Sequence, residues 1–70
     1  MPFANLKIPA GSLDREQKQR LVEGVTEMYV GVYGERARAG VMVLVDEVVD
    51  GGWGIRGEVL TLAMLEGEEG

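Results

Sequence analysis

The chain has no cysteine and no histidine among its 70 residues. The first absence rules out disulfide staples and thiolate metal sites. The second removes the histidine-dependent triads and the conventional zinc sites. Basic residues are also scarce, 7 Lys and Arg against 12 Asp and Glu, for a net charge of −5. Lys7, Arg15, Lys18, Arg20, Arg36, Arg38 and Arg56 are scattered among acids, so no cluster can neutralise a phosphate backbone or an anionic membrane surface. No apolar run approaches the roughly 20 residues that span a bilayer. The N-terminus carries neither a charged segment nor a long apolar one of the leader type, so the expected compartment is the cytoplasm. The acids Asp14, Glu16, Asp46, Glu47 and Asp50 show no calcium-loop spacing. No cofactor or metal is expected. Chemistry here is left to an amine, a carboxylate, tyrosine, arginine or backbone groups.

What is present patterns as one small domain over 1–70, with 66–70 an acidic tail. Ala4, Leu6 and Ile8 alternate with Phe3, Asn5 and Lys7, which predicts a half-buried strand ended by Pro9-Ala10-Gly11-Ser12. A helix follows over about 14–33. Its N-cap is Ser12 or Asp14, with Gln17 placed for a capping box, and Gly34 is its stop signal. Leu21, Val22, Val25, Met28, Tyr29 and Val32 share one stripe of that helix.

The segment 41–49 is β-branched and apolar on both faces, with Val41, Val43 and Val45 on one and Met42 and Leu44 on the other. Asp50-Gly51-Gly52 marks a turn. The stretch 59–65 reads equally as strand or helical turn. Strand, helix, strand with a long joining segment predicts a parallel pair with a right-handed crossover. One helix covers one face of two strands. The second apolar face, in a chain too short to bury a large core, therefore predicts a homo-oligomer.

Three groups of residues could carry chemistry. Trimming of Met1 before Pro2 would free a secondary amine whose pKa, near 8 for an α-amino group, falls in an apolar or cationic site toward that of a general base at neutral pH. The alternative is that Pro2 only marks a processed N-terminus. Gly52-Trp53-Gly54-Ile55-Arg56-Gly57 matches GxGxxG formally, but too little chain follows for a dinucleotide-binding unit. It reads instead as a glycine-rich hairpin, or as a site wall in which Trp53 is the apolar face and Arg56 a carboxylate-binding cation. Asp46 and Glu47 point to opposite faces and form no catalytic pair.

Together these segments resemble the 4-oxalocrotonate tautomerase family of small subunits. The resemblance rests on Met1-Pro2 opening a strand, Asp14-Arg15-Glu16-Gln17-Lys18 opening the helix, Val41 to Glu47, and Gly51 to Glu58, and covers roughly residues 2–62. It implies an α+β fold: a β-α-β unit with parallel strands, one long helix and a small C-terminal hairpin. It also implies a hexamer built as a trimer of dimers, with sites at subunit interfaces. Pro2 would shuttle a proton between carbon and oxygen of a small enol or 2-oxo acid, and Trp53 would keep the amine neutral.

The sequence departs from the family at its arginines. One family position falls at Ser12 (or Leu13) and the other at Met42, and neither is cationic. Arg38 lies about 13 Å before Met42 along an extended chain and is no simple substitute, whereas Arg56 beside Trp53 could supply a cation from a new direction. At about 1.5–3 kcal/mol for each charge-assisted bond, their loss disfavours a dicarboxylate and leaves a monoacid enol such as an arylenolpyruvate. The alternative function is a hexameric tautomerase-fold protein without efficient catalysis, acting as a small-ligand-binding or structural module.

Overall fold

In a computed structural model, residues 2–67 are described; Met1 and the end of the acidic tail, 68–70, lie outside them. The first strand, β1 (Phe3–Pro9), leads through a turn into the helix α1 (Arg15–Tyr33). The chain then makes a 3₁₀ turn (Glu35–Ala39) and returns as β2 (Met42–Val48). β1 and β2 pair in parallel from Phe3↔Met42 to Pro9↔Val48. A second, antiparallel pair, β3 (Trp53–Ile55) with β4 (Glu58–Leu60), forms the hairpin, and a single helical turn, α2 (Leu62–Leu65), follows. The ambiguous stretch 59–65 thus divides between strand and helix. Thr61 caps α2, and the Asp50 carboxylate accepts the Leu62 N–H at 2.7 Å, closing the hairpin at its base.

The helix begins where its capping box lies. Asp14 accepts the Gln17 N–H at 2.8 Å, and the Gln17 side chain accepts the Asp14 N–H at 3.0 Å. This satisfies donors that a helix start otherwise leaves orphaned. Ser12 is not the cap; its hydroxyl donates to the Pro9 carbonyl at 2.7 Å within the loop. At the other end Gly34 has φ +101°, outside the range open to side-chain-bearing residues. It turns the chain directly into the 3₁₀ segment, which the sequence pattern had not marked.

The covered face of the sheet carries Ala4, Leu6 and Ile8 beside Val43 and Val45, with α1 across them. Lys18 on α1 pairs with Glu47 on β2 at 2.8 Å. The helical stripe is only partly used. Leu21, Val22, Val25 and Tyr29 are half-buried, but so are Thr26 and Val30, whereas Met28 and Val32 are 66% and 81% exposed. The covered face of α1 is therefore rotated from the expected stripe toward Val22 and Tyr29, which leaves Met28 and Val32 on an open flank.

The opposite face of the sheet is uncovered. Phe3, Met42 and Leu44 there are 56%, 59% and 47% exposed, and Lys7 and Asp46 pair across it at 2.6 Å. None of the described residues is fully buried in the single chain. The radius of gyration is 15.0 Å, against about 11 Å for a compact chain of this length. The subunit is an open shape whose apolar faces are left unsatisfied.

Candidate active site

Because β1 and β2 are parallel, both begin at one end of the sheet. Pro2 therefore sits against the chain entering β2, and the Met42 N–H donates to the Pro2 carbonyl at 3.1 Å. Beside this junction opens a cavity of about 450 Å³ lined by Pro2, Tyr33, Arg36, Ala37 and Gly40. The 3₁₀ turn forms its wall: the Ala37 carbonyl accepts from Gly40 at 2.8 Å and Val41 at 3.1 Å, folding the segment back toward Pro2. Tyr33 closes the other side, its ring 6.2 Å from that of Tyr29. The lining is mostly apolar, with one guanidinium and one phenol.

The two arginines of the 3₁₀ turn have different surroundings. Arg38 is held by Glu35, at 2.6 Å, and by Glu27 on α1. The Arg38 hydrogen bonds, and then its charge, hold the carboxyls of Glu27 and Glu35 below their ordinary value. Arg36 makes no ion pair among the described residues and borders the cavity.

Of the residues singled out from sequence, Met42 lies next to Pro2 through the backbone, with its side chain on the open sheet face. Ser12, Trp53 and Arg56 do not join Pro2 within one chain. Ser12 follows the C-terminal end of β1, a strand length of about 20 Å from the end where Pro2 sits, and Trp53 and Arg56 belong to the separate β3–β4 hairpin that follows β2; none of the three lines the Pro2 cavity. Trp53 opens the hairpin opposite Leu60, and its indole N–H is buried without a partner among the described residues. Arg56 is at the hairpin tip with φ +55°, followed by Gly57 at +81°, the paired positive φ values of a type I′ loop. Gly52 beneath it is fixed by close approach, since a Cβ there would meet a Val48 methyl at 2.8 Å.

Sequence reasoning missed Tyr33, Arg36, Ala37 and Gly40 as neighbours of Pro2. The signal was available in the parallel pairing. Residues just before β2 must lie beside the residue that opens β1, whatever their own pattern. Among the described residues no group of acids is placed to hold a metal, and no helix is long and apolar enough to cross a membrane.

Comparison with known proteins agrees with this fold. The family model described as tautomerase enzyme matches residues 2–63. A probable tautomerase of Dickeya dadantii is 41% identical over 61 residues, covering 87% of this chain and 90% of that protein. The crystal structure of DmpI from Helicobacter pylori superposes with a TM-score of 0.70 at 38% identity, over 83% of this chain and 94% of that one. A 4-oxalocrotonate tautomerase isozyme from Methylibium petroleiphilum gives a TM-score of 0.74 at 31% identity, over 83% and 90%. By sequence and by fold, the chain belongs to the tautomerase family.

Proposed function

We propose that the N-terminal amine of Pro2, freed by removal of Met1, is the general base and acid of an isomerase acting on a small enol or 2-oxo acid. The observation that carries this reading is the place of Pro2 in the lining of the 450 Å³ cavity. The amine takes the enol hydroxyl proton, the electron pair of the O–H bond forms the carbonyl π bond, and the C=C π pair takes the proton back from the resulting ammonium to form the C–H bond. Double-bond migration uses the same shuttle between two carbons. No proton is gained or lost overall, so no redox partner is needed. The apolar lining disfavours the ammonium form, and the Arg36 charge acts in the same direction, which keeps a usable fraction of neutral amine near pH 7.

The same proposal includes assembly, with a hexamer arranged as a trimer of dimers. Three features support it: the uncovered Phe3–Met42–Leu44 face, the absence of any buried residue among those described in one chain, and the extended shape. In such an assembly the hairpin of one subunit reaches the Pro2 cavity of another. Trp53 supplies an apolar wall and Arg56 a cation, and Met42 and Ser12, neither of which lines the Pro2 cavity of its own chain, border the substrate bound at a neighbouring subunit's Pro2. The substrate best suited is a monoacid enol.

The second reading is a tautomerase-fold module that binds a small ligand without turning it over. It is favoured by the neutral residues at Ser12 and Met42. Ultraviolet decay of an arylenolpyruvate enol separates the two. Wild-type protein accelerates it and Pro2→Ala does not if the amine is the base; equal rates in both would leave the binding module.

A further inference from the structure

We infer that Arg36 is the cation that binds the substrate's carboxylate beside Pro2, and that it makes the site selective for monoanionic enol or 2-oxo acids carrying an apolar substituent. This deepens the reading of Pro2 as the base and rests on it.

The charge inventory leads to Arg36. Lys7 pairs with Asp46, Lys18 with Glu47, Arg20 with Glu16, and Arg38 with both Glu27 and Glu35. Arg15, Arg36 and Arg56 make no ion pair among the described residues. Arg15 opens α1, after the far end of β1, and Arg56 is at the hairpin tip. Arg36 alone of the three lines the cavity that holds Pro2, and it does so within one chain.

Its neighbour explains why it is available. Arg36 and Arg38 are two residues apart on a turn with three residues per turn, so they leave it in different directions. Arg38 and its two carboxylates fasten the 3₁₀ turn to α1. That fixes the backbone from which Arg36 projects and uses up the nearby acids that would otherwise pair with it.

The chemistry of the lining narrows the ligand. On a chain of net charge −5, one unpaired guanidinium is a local exception that favours an anion. A guanidinium presents a planar fork that matches a carboxylate in two parallel hydrogen bonds, and it is more weakly hydrated than an ammonium. Ala37, Gly40, Pro2 and the Tyr33 ring add no second cation within the subunit, the Tyr33 hydroxyl being the one further side-chain donor, but they do offer contact area to an aryl or alkyl group. Within its own subunit a dianion would carry one carboxylate without a cationic partner against an acidic surface, so its second charge would depend wholly on Arg56 of a neighbouring hairpin. With the carboxylate held by Arg36, the adjoining enol carbon and oxygen face the Pro2 amine.

The test uses the assembled protein with an arylenolpyruvate, its uncharged methyl ester, and the unreactive acid 3-phenylpropionate as a calorimetric probe. For Arg36→Ala the expected result is a KM for the acid raised about 10- to 100-fold, with kcat changed far less and KM for the ester unchanged. Affinity for 3-phenylpropionate falls by a similar factor, Arg36→Lys recovers part of both, and Arg20→Ala, on an exposed helix face, changes neither. Pro2→Ala loses turnover but still binds 3-phenylpropionate, which separates the base from the anchor. The proposal is overturned if Arg36→Ala keeps KM and probe affinity within about twofold of wild type, if acid and ester suffer equally, or if wild-type protein does not bind the probe at millimolar concentrations. Failure of the base reading shows instead as undiminished turnover in Pro2→Ala, whatever calorimetry reports for Arg36.

Discussion

The Met42 N–H donates to the Pro2 carbonyl at 3.1 Å, so the residue that opens the chain is tied to the first residue of the second strand. The bond anchors Pro2 through its carbonyl and leaves its nitrogen out of the sheet ladder. Acylating that nitrogen would turn an amine into an amide with no basicity while leaving the anchor in place. A variant carrying one uncleaved residue before Pro2 is therefore expected to lose about 10²- to 10⁴-fold in kcat, the usual contribution of a general base. Its circular dichroism and native mass should match wild type. Intact-mass measurement of active protein should show Met1 removed; full activity in protein that retains Met1 would exclude the amine.

The open sheet face makes a separate prediction. Leu44 is half exposed in one chain, between Met42 and Asp46 on a face that none of the described residues covers. Leu44→Lys places a charge there without touching the helix side. Covering a leucine contributes about 1.5–3 kcal/mol, and an assembly repeats that contact in every subunit. Native mass spectrometry or sedimentation is expected to show dissociation, with a lowered melting temperature that depends on protein concentration. An unchanged oligomer with Lys at this position would mean that the subunits meet elsewhere.

Arg56 sets stability against function. An L-residue at φ +55° costs about 1 kcal/mol relative to one that favours the left-handed region. Arg56→Asn keeps the loop and relieves that strain, so it is expected to raise stability by about 0.5–1 kcal/mol in denaturant titration. If Arg56 reaches a neighbouring cavity, the same substitution raises KM for an acid substrate. A gain in stability with no kinetic change would reduce Arg56 to a loop residue.

Acid should loosen the 3₁₀ turn. Arg38 holds the Glu27 and Glu35 carboxyls below the ordinary value of 4.5, first by hydrogen bonding and then by charge. A carboxyl whose folded value is depressed contributes stability above its unfolded value and loses it as pH falls through the folded one. The contribution is thus complete at neutral pH and fades below about pH 4.5. Melting temperature is expected to fall across that range. Glu27→Gln with Glu35→Gln should remove part of the fall, and added salt should mimic the double variant because these groups face water.

Local chemistry determined much of this protein from the sequence alone. Period-two alternation placed β1, the Asp14–Gln17 box and Gly34 bounded the helix, and the doubly apolar 41–49 segment gave both the second strand and the demand for a partner. These signals are legible because each depends on residues a few positions apart. The absence of cysteine and histidine likewise narrowed the chemistry to an amine, a carboxylate, tyrosine, arginine or backbone groups before any geometry was known.

The tertiary structure decided what distance along the chain conceals. Parallel pairing brings Pro2, residue 2, to Tyr33, Arg36 and Gly40. Their nearness follows from strand direction and register, which no local pattern records. It also puts Ser12 at the opposite end of the sheet, and the separate β3–β4 hairpin holds Trp53 and Arg56, so within one chain none of them lines the Pro2 cavity. The two arginines of one short turn look alike in sequence. Only the position of Glu27, brought alongside by the return of the chain from α1, makes Arg38 a structural clamp and leaves Arg36 facing the cavity.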